Sequence, residues 1–169
     1  MQISRRHLLA LSAGTAAIGA IGTSGVVISW WDQPAEDPYL SLSSTEGAFV
    51  RAWSGAAFPA TQTIPLAGSN ASLDRFFDQM LQAVPNETEN LLKLLLNGLN
   101  ALPSATHFKP FQALSQSDQR QLFDSWSNAS VSDFRSAVQS LTLLLGMGWS
   151  THPEVAPFMQ QFHSCGYGR

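Results

Sequence analysis

Residues 42–53, Leu-Ser-Ser-Thr-Glu-Gly-Ala-Phe-Val-Arg-Ala-Trp, contain the clearest folding signal in this sequence. Ser43, followed three residues later by Glu46, forms a capping box, in which each side chain binds a backbone N–H at the start of a helix. Apolar residues then recur at the spacing of one helical face. They are Phe49, Val50, Trp53 and Ala57. The stretch therefore predicts an amphipathic helix that Pro59 brings to an end.

Four further segments carry helical signals, and no segment has the alternation of a strand. The helices are expected to open after Ser72, which is predicted to cap its helix, at Asn86, after Ser115, and at Ser130 or Ser132. Pro85 and Pro103 end the first two of them. Ser115 and Asp118 repeat the capping pattern of the first helix. We therefore predict an all-α fold, an irregular bundle of about five helices that follows an N-terminal signal or anchor helix.

The second half of the last long helix is apolar on every side, from Leu141 toward Met147. A helix of this kind lies in the centre of a bundle or is covered by a partner. We expect it to end at Gly146 and Gly148, because glycine favours the ends of helices.

The residues after these glycines form the most unusual segment of the body. Trp149 is followed by His152-Pro153-Glu154, and proline is favoured in the first turn of a new helix. One interpretation is a corner between two helices with His152 as its cap. The other is a contact surface, because exposed aromatic residues near glycines make good interface anchors. The candidate interface residues are Trp149, His152, Pro153 and Tyr167.

The first residues, Ser4-Arg5-Arg6-His7-Leu8-Leu9, match a twin-arginine export signal. Its key residues are Arg5, Arg6, Leu8 and Leu9. The uncharged run that continues to Trp31 exceeds the about 20 residues that span a bilayer. A general export signal or a plain membrane anchor is the alternative, and cleavage stays open. The predicted parts are a signal or anchor (1–31), a linker (32–41) and a helical domain (42–169).

Charge excludes one class of partner. Two of the nine basic residues lie in the predicted signal, so the remainder has seven basic against twelve acidic residues and a net charge near −5. No basic stripe is present to neutralise phosphates, which argues against nucleic acid. Only 12% of the chain is charged, roughly half the average. Such a domain is unusually well packed or is partly covered by a partner.

No group of residues predicts catalysis or metal binding. The four histidines are His7, His107, His152 and His163. None has further ligands at metal-binding spacing, and the acidic residues fall at helix starts, where capping explains them. Cys165 is the one cysteine of the chain. In an exported protein it is expected to pair with another chain, to stay a free thiol, or to be an inert small side chain.

Several of these motifs together resemble the gluconate 2-dehydrogenase subunit 3 family, the small (gamma) subunits of bacterial membrane-bound flavin dehydrogenases. The matching motifs are the twin-arginine start, Leu42-Ser43-x-x-Glu46 with Phe58-Pro59, the Trp149-x-x-His152-Pro153-Glu154-Val155 corner and Gly166-Tyr167-Gly168. They are spread over most of the chain, but each is short. The sequence departs from the family at Leu8-Leu9-Ala10 and over the loop 60–72.

The resemblance implies a non-catalytic subunit that binds no cofactor of its own. In that family the small subunit carries a large FAD-containing dehydrogenase through the twin-arginine translocase and stays bound to it in the periplasm, associated with the membrane. A multihaem cytochrome c subunit commonly accepts the electrons. The substrate class is a sugar, polyol or sugar acid, and Cys165 is the candidate for a disulfide to the large subunit. The alternative is a self-standing, signal-anchored helical protein that binds a ligand or scaffolds the cell envelope.

Overall fold

The computed structural model describes residues 34–162, with side chains through residue 160. Within this range the chain forms helices and no strand, which confirms the all-α prediction. Five helices have ten residues or more, and the predicted signal or anchor helix lies outside the described residues. The helices are α1 Ser44–Ala57, α2 Leu73–Gln82, α3 Asn86–Ala101, α4 Ser104–His107, α5 Gln116–Ser127, α6 Ser132–Thr151 and α7 Ala156–Phe162, with 3₁₀ turns at Gly68–Asn70 and Phe111–Ala113.

Helix α1 is the central element of the bundle. It contacts α2, α3, α5 and α6 and both 3₁₀ turns. Phe49 and Trp53, on its inner face, are fully buried together with Phe111, and the three ring centroids lie 5.5–5.6 Å apart. Such aromatic clusters supply much of the buried apolar area in a small core. The apolar spacing predicted for α1 is therefore the one that organises the core.

Two of the predicted helix caps are confirmed and one is wrong. The Ser43 hydroxyl accepts from the Glu46 N–H at 3.3 Å, and the Ser43 N–H donates to the Glu46 carboxylate at 2.8 Å. Ser115 accepts from the Asp118 N–H at 3.2 Å in the same way. Ser72 precedes α2 but makes no capping bond with its side chain. Its φ of 51° is in the left-handed region, whereas a capping serine normally has an extended backbone.

Residues 39–43, which we call the strap, lead into α1 and are fastened to α2. The carboxylate of Asp78 accepts hydrogen bonds from three consecutive backbone N–H groups, those of Leu40, Ser41 and Leu42, at 3.0, 2.8 and 2.9 Å. Three charge-assisted bonds to one buried carboxylate hold a backbone segment firmly. The sequence predicts a linker over residues 32–41, and that division stays a prediction. Its last residues, Tyr39–Ser41, belong to this fastened segment.

Tyr39 makes the second attachment of the strap. Its hydroxyl donates to the Asp74 carboxylate at 2.6 Å and accepts from Arg51 at 2.5 Å. Arg51 also binds Asp74 directly, at 2.7 Å. Burial raises the pKa of Tyr39, and the hydrogen bond to Asp74 raises it further, so the phenol is held in its neutral, donating form. Asp74 therefore joins the strap to α1 as well as beginning α2.

Glu46 joins the strap, α1 and α3 in the interior. Its side chain is buried, and besides the Ser43 N–H it accepts from the Asn97 amide at 2.7 Å. The ammonium of Lys93 lies 3.9 Å from the same carboxylate and donates to the Ser41 carbonyl at 2.7 Å. Buried charges are tolerated when they are paired and hydrogen-bonded in this manner.

The first prediction compares the two capping acids. Glu46→Ala should lower the free energy of unfolding by about 3 kcal/mol, because it removes a buried carboxylate to which Lys93 and Asn97 bind. Asp118→Ala should cost less than about 1 kcal/mol, because the bond of Asp118 to Ser115 lies at the surface. Urea denaturation of both variants measures the difference. Equal losses would show that burial of Glu46 adds nothing to its role as a cap.

Candidate functional site: the outer face of helix α6

Helix α6 presents two large apolar side chains to solvent. Leu143 is 69% exposed and Met147, one turn later, is 57% exposed. Side chains four residues apart lie side by side on a helix surface. Gln139 lies one turn before Leu143 on the same side and is also exposed. We call Gln139, Leu143 and Met147 the outer face of α6.

A cleft of about 360 Å³ adjoins this face. Its volume reaches the low end of the range of about 300–1,000 Å³ found for small-molecule sites, but the cleft is shallow and open, whereas such sites enclose most of their ligand. None of its residues is titratable. Gln139 offers an amide and Ser127 a hydroxyl group, whereas the Thr142 hydroxyl already donates to the Val138 carbonyl at 2.8 Å. The lining residues are Phe58, Phe123, Ser127, Gln139, Thr142, Leu143 and Gly146. The arrangement can therefore bury apolar groups and accept or donate a few neutral hydrogen bonds, which is chemistry for binding.

The opposite face of α6 fixes its orientation. Val138, Leu141 and Leu145 are fully buried against the core. Near the end of the helix, Gly148 packs against the Phe76 ring of α2, and a Cβ at this position would lie 2.5 Å from the ring. Glycine permits this close approach of the two helices. The apolar second half is thus divided between a buried side and the exposed pair Leu143 and Met147.

The expected end of this helix at Gly146 and Gly148 is wrong. Helix α6 continues through both residues to Thr151, and α7 begins at Ala156. The physical reason is tertiary packing, since Gly148 makes room for Phe76 and Gly146 faces the Phe58 ring. Glycine weakens a helix interior by only about 1 kcal/mol, which packing of this kind outweighs.

The segment after α6 is a corner with His152 as the C-cap of the helix. The His152 N–H donates to the Trp149 carbonyl at 3.2 Å, and the His152 carbonyl accepts from Val155 N–H at 2.8 Å. Its ring nitrogen Nδ1 accepts from the Glu154 N–H at 3.3 Å. Pro153 is exposed in the turn before α7, not in the first turn of that helix as expected.

The Trp149 ring packs against other residues of this chain. It stacks on Phe58 with ring centroids 5.1 Å apart and planes 14° from parallel. Its indole N–H points to the Leu66 carbonyl at 3.4 Å. The ring is half-buried, so Trp149 supports Phe58, a wall of the cleft. The interface role of Trp149, His152 and Pro153 stays a prediction.

The remaining candidate residues lie outside the described range. They are Arg5, Arg6, Leu8, Leu9, Cys165 and Tyr167. Between residues 34 and 162 no group of histidine, cysteine, aspartate and glutamate side chains is arranged to hold a metal ion. In the same range no helix is both long and apolar enough to cross a membrane.

Comparison with known proteins gives no match for the chain. No protein-family model matches it, and no curated protein or solved structure is significantly similar to it. The outer face of α6 and its cleft are therefore assessed on their own chemistry.

The second prediction concerns the packing that orients α6. Gly148→Ala should lower the free energy of unfolding by about 1–3 kcal/mol, because the new methyl group overlaps the Phe76 ring. Gly98→Ala is the matched control in α3: no atom lies within 4 Å of its added Cβ, so helix propensity should raise stability by up to about 1 kcal/mol. Thermal denaturation compares the two. A melting temperature of Gly148→Ala equal to that of the parent chain would contradict the close packing of α2 and α6.

Proposed function

We propose that this chain is the non-catalytic small subunit of a periplasmic, membrane-associated FAD-dependent dehydrogenase of sugars, polyols or sugar acids. In this proposal it escorts the flavoprotein subunit through the twin-arginine pathway and stabilises it afterwards. The resemblance to the gluconate 2-dehydrogenase subunit 3 family supports the proposal, as do the arginine pair Arg5-Arg6 and the low charge of the chain.

The exposure of the outer face of α6 is the observation that supports docking of the flavoprotein subunit. Leu143 and Met147 remain exposed beside an uncharged cleft that no side chain between residues 34 and 160 fills. Interface cores are depleted in charge and enriched in methionine and aromatic residues. An obligate partner would bury more than about 1,000 Å² in total, so the contact would extend beyond these two residues.

The resemblance implies how the roles are divided among the subunits. FAD would be held by the large subunit, and haem by a cytochrome c subunit where one is present. This chain would supply the export signal and a binding surface, and Cys165 would be available for a disulfide to the large subunit. Export of folded proteins requires the flavoprotein to bind FAD and dock before the pair crosses the membrane.

A self-standing, signal-anchored binding or scaffold protein is the second candidate, because the same apolar cleft could take another ligand. The neighbouring gene separates the two proposals. A large flavoprotein that has a Gly-x-Gly-x-x-Gly motif near its start and lacks an export signal favours the subunit. A neighbouring gene of another kind favours the self-standing binding or scaffold protein.

The third prediction tests docking by co-purification with that flavoprotein. The double substitution Leu143→Ser with Met147→Ser should weaken binding at least about tenfold, because it removes two apolar anchors from the interface. The matched control is Leu91→Ser with Val131→Ser, which alters two side chains of similar exposure on α3 and at the start of α6. Both proteins should fold, since all four side chains are exposed. Equal binding by the two variants would show that the outer face of α6 is not part of the interface.

The fourth prediction tests the export role. Replacing Arg5 and Arg6 by lysine keeps the charge but removes the arginine pair that the translocase recognises. The flavoprotein subunit should then accumulate in the cytoplasm, and periplasmic dehydrogenase activity should be lost. Arg120→Lys, in α5, is the control and should export normally. An active flavoprotein in the periplasm of the double-lysine strain would refute the escort role.

A further inference from the structure

Phe108 is displayed on the surface by an unusual backbone. Its side chain is 90% exposed, the highest value among the large apolar residues of the described range. Its φ of 56° and ψ of 20° lie in the left-handed region at the end of α4, where glycine is the usual residue. A phenylalanine here is strained and gains nothing from burial, and strain of this kind is typical of functional positions.

The backbone on both sides of Phe108 is well held. Before it, the N–H groups of Thr106 and His107 bind the Pro103 carbonyl at 3.0 and 2.7 Å. After it, Phe111 is fully buried, and its carbonyl accepts from Gln119 at 3.1 Å. The ring is therefore presented at a fixed place on the molecule. We call the exposed residues 104–109 the Phe108 tip.

The sequence on both sides of the tip carries no negative charge, unlike the chain as a whole. The chain has a net charge of −3, yet no acidic residue occurs between Glu89 and Asp118. Lys109, next to Phe108, is exposed, and so is His107. The tip therefore places an apolar ring and a cation together in a segment without carboxylates.

We propose that the Phe108 tip binds the surface of an anionic lipid bilayer. The Phe108 ring enters the boundary between headgroups and acyl chains, and the Lys109 ammonium binds lipid phosphates. The combination of a protruding apolar side chain with a neighbouring cation fits an anionic interface. The contact needs no other protein, and it does not depend on the flavoprotein subunit.

A membrane fits this tip better than a protein partner does. Anchor residues of protein interfaces lie in the centre of a larger patch whose surrounding residues exclude water. Ser104, Ala105 and Thr106, the exposed neighbours in the tip, are small or polar and form no such patch. A bilayer supplies its own apolar surroundings, so the ring needs no apolar rim from the protein. One ring and one cation make a weak contact, which orients a chain that is already held at the membrane. The inference therefore rests on the membrane association in the proposed function.

The fifth prediction measures the position of the tip directly, in the full-length chain. Cys165→Ser removes the one cysteine, and Ala105→Cys in the exposed tip or Val131→Cys then introduces a site for an environment-sensitive fluorophore, with Phe108 and Lys109 left in place. Val131 is the control because it is 63% exposed and lies at the start of α6. Each protein is reconstituted in vesicles of phosphatidylcholine, or of phosphatidylcholine and phosphatidylglycerol in equal amounts. Because the whole chain is present in every sample, the comparison between labels is independent of how the N-terminal segment binds.

The label at residue 105 should emit at shorter wavelength in the anionic vesicles and be quenched by spin-labelled lipid, whereas the label at residue 131 should not change. Lys109→Gln should reduce the difference between the two vesicle types. Equal emission from both positions would overturn the proposal. Emission from residue 105 that is already at this shorter wavelength without vesicles would also overturn it, since that result indicates a protein contact.

Removing the ring provides a second measurement. Phe108→Gly suits the left-handed backbone, so its melting temperature should equal or exceed that of the parent chain. In anionic vesicles, the label at residue 105 of this variant should lose its protection from a water-soluble quencher, relative to the same label in the chain that keeps Phe108. Unchanged protection without the ring would contradict insertion by Phe108.

Discussion

The buried carboxylate of Glu46 is the constraint on which the rest of the fold depends. It caps α1, binds Asn97 of α3 and lies beside Lys93, whose ammonium binds the strap. Asp74 and Asp78 fasten the other side of the strap to α2. Of the eleven acidic residues in the described part of the chain, these three are buried. The surface is consequently even less charged than the composition indicates, which favours contact with an apolar partner.

The sequence predicts the helices of this fold better than the contacts between them. The capping box and the spacing of Phe49 and Trp53 are local patterns, and α1 follows them. The partner of Glu46 in α3 is 51 residues away and has no local signal. The helix end expected at Gly148 is wrong for the same reason, because the role of this glycine is set by Phe76, on another helix. Ser72 shows that a favourable residue type does not cap a helix from a left-handed backbone.

The candidate site was predictable only in outline. The apolar second half of α6 indicates burial or a partner, but periodicity alone does not tell which side chains face outward. Packing of Val138, Leu141 and Leu145 decides that Leu143 is exposed. Phe58 and Phe123 line the cleft from α1 and α5, and only the fold brings them together. The strained Phe108 has no sequence signal, because its left-handed backbone is a property of the folded chain.

The central claim is that a flavoprotein subunit covers the outer face of α6. Hydroxyl-radical footprinting tests it most directly, because Met147 is 57% exposed in the isolated chain and methionine oxidises readily. Mass spectrometry would compare the oxidation rate of Met147 in the free chain and in the complex that co-purifies with FAD. The account predicts strong protection of Met147 in the complex. An equal rate in both samples would contradict it.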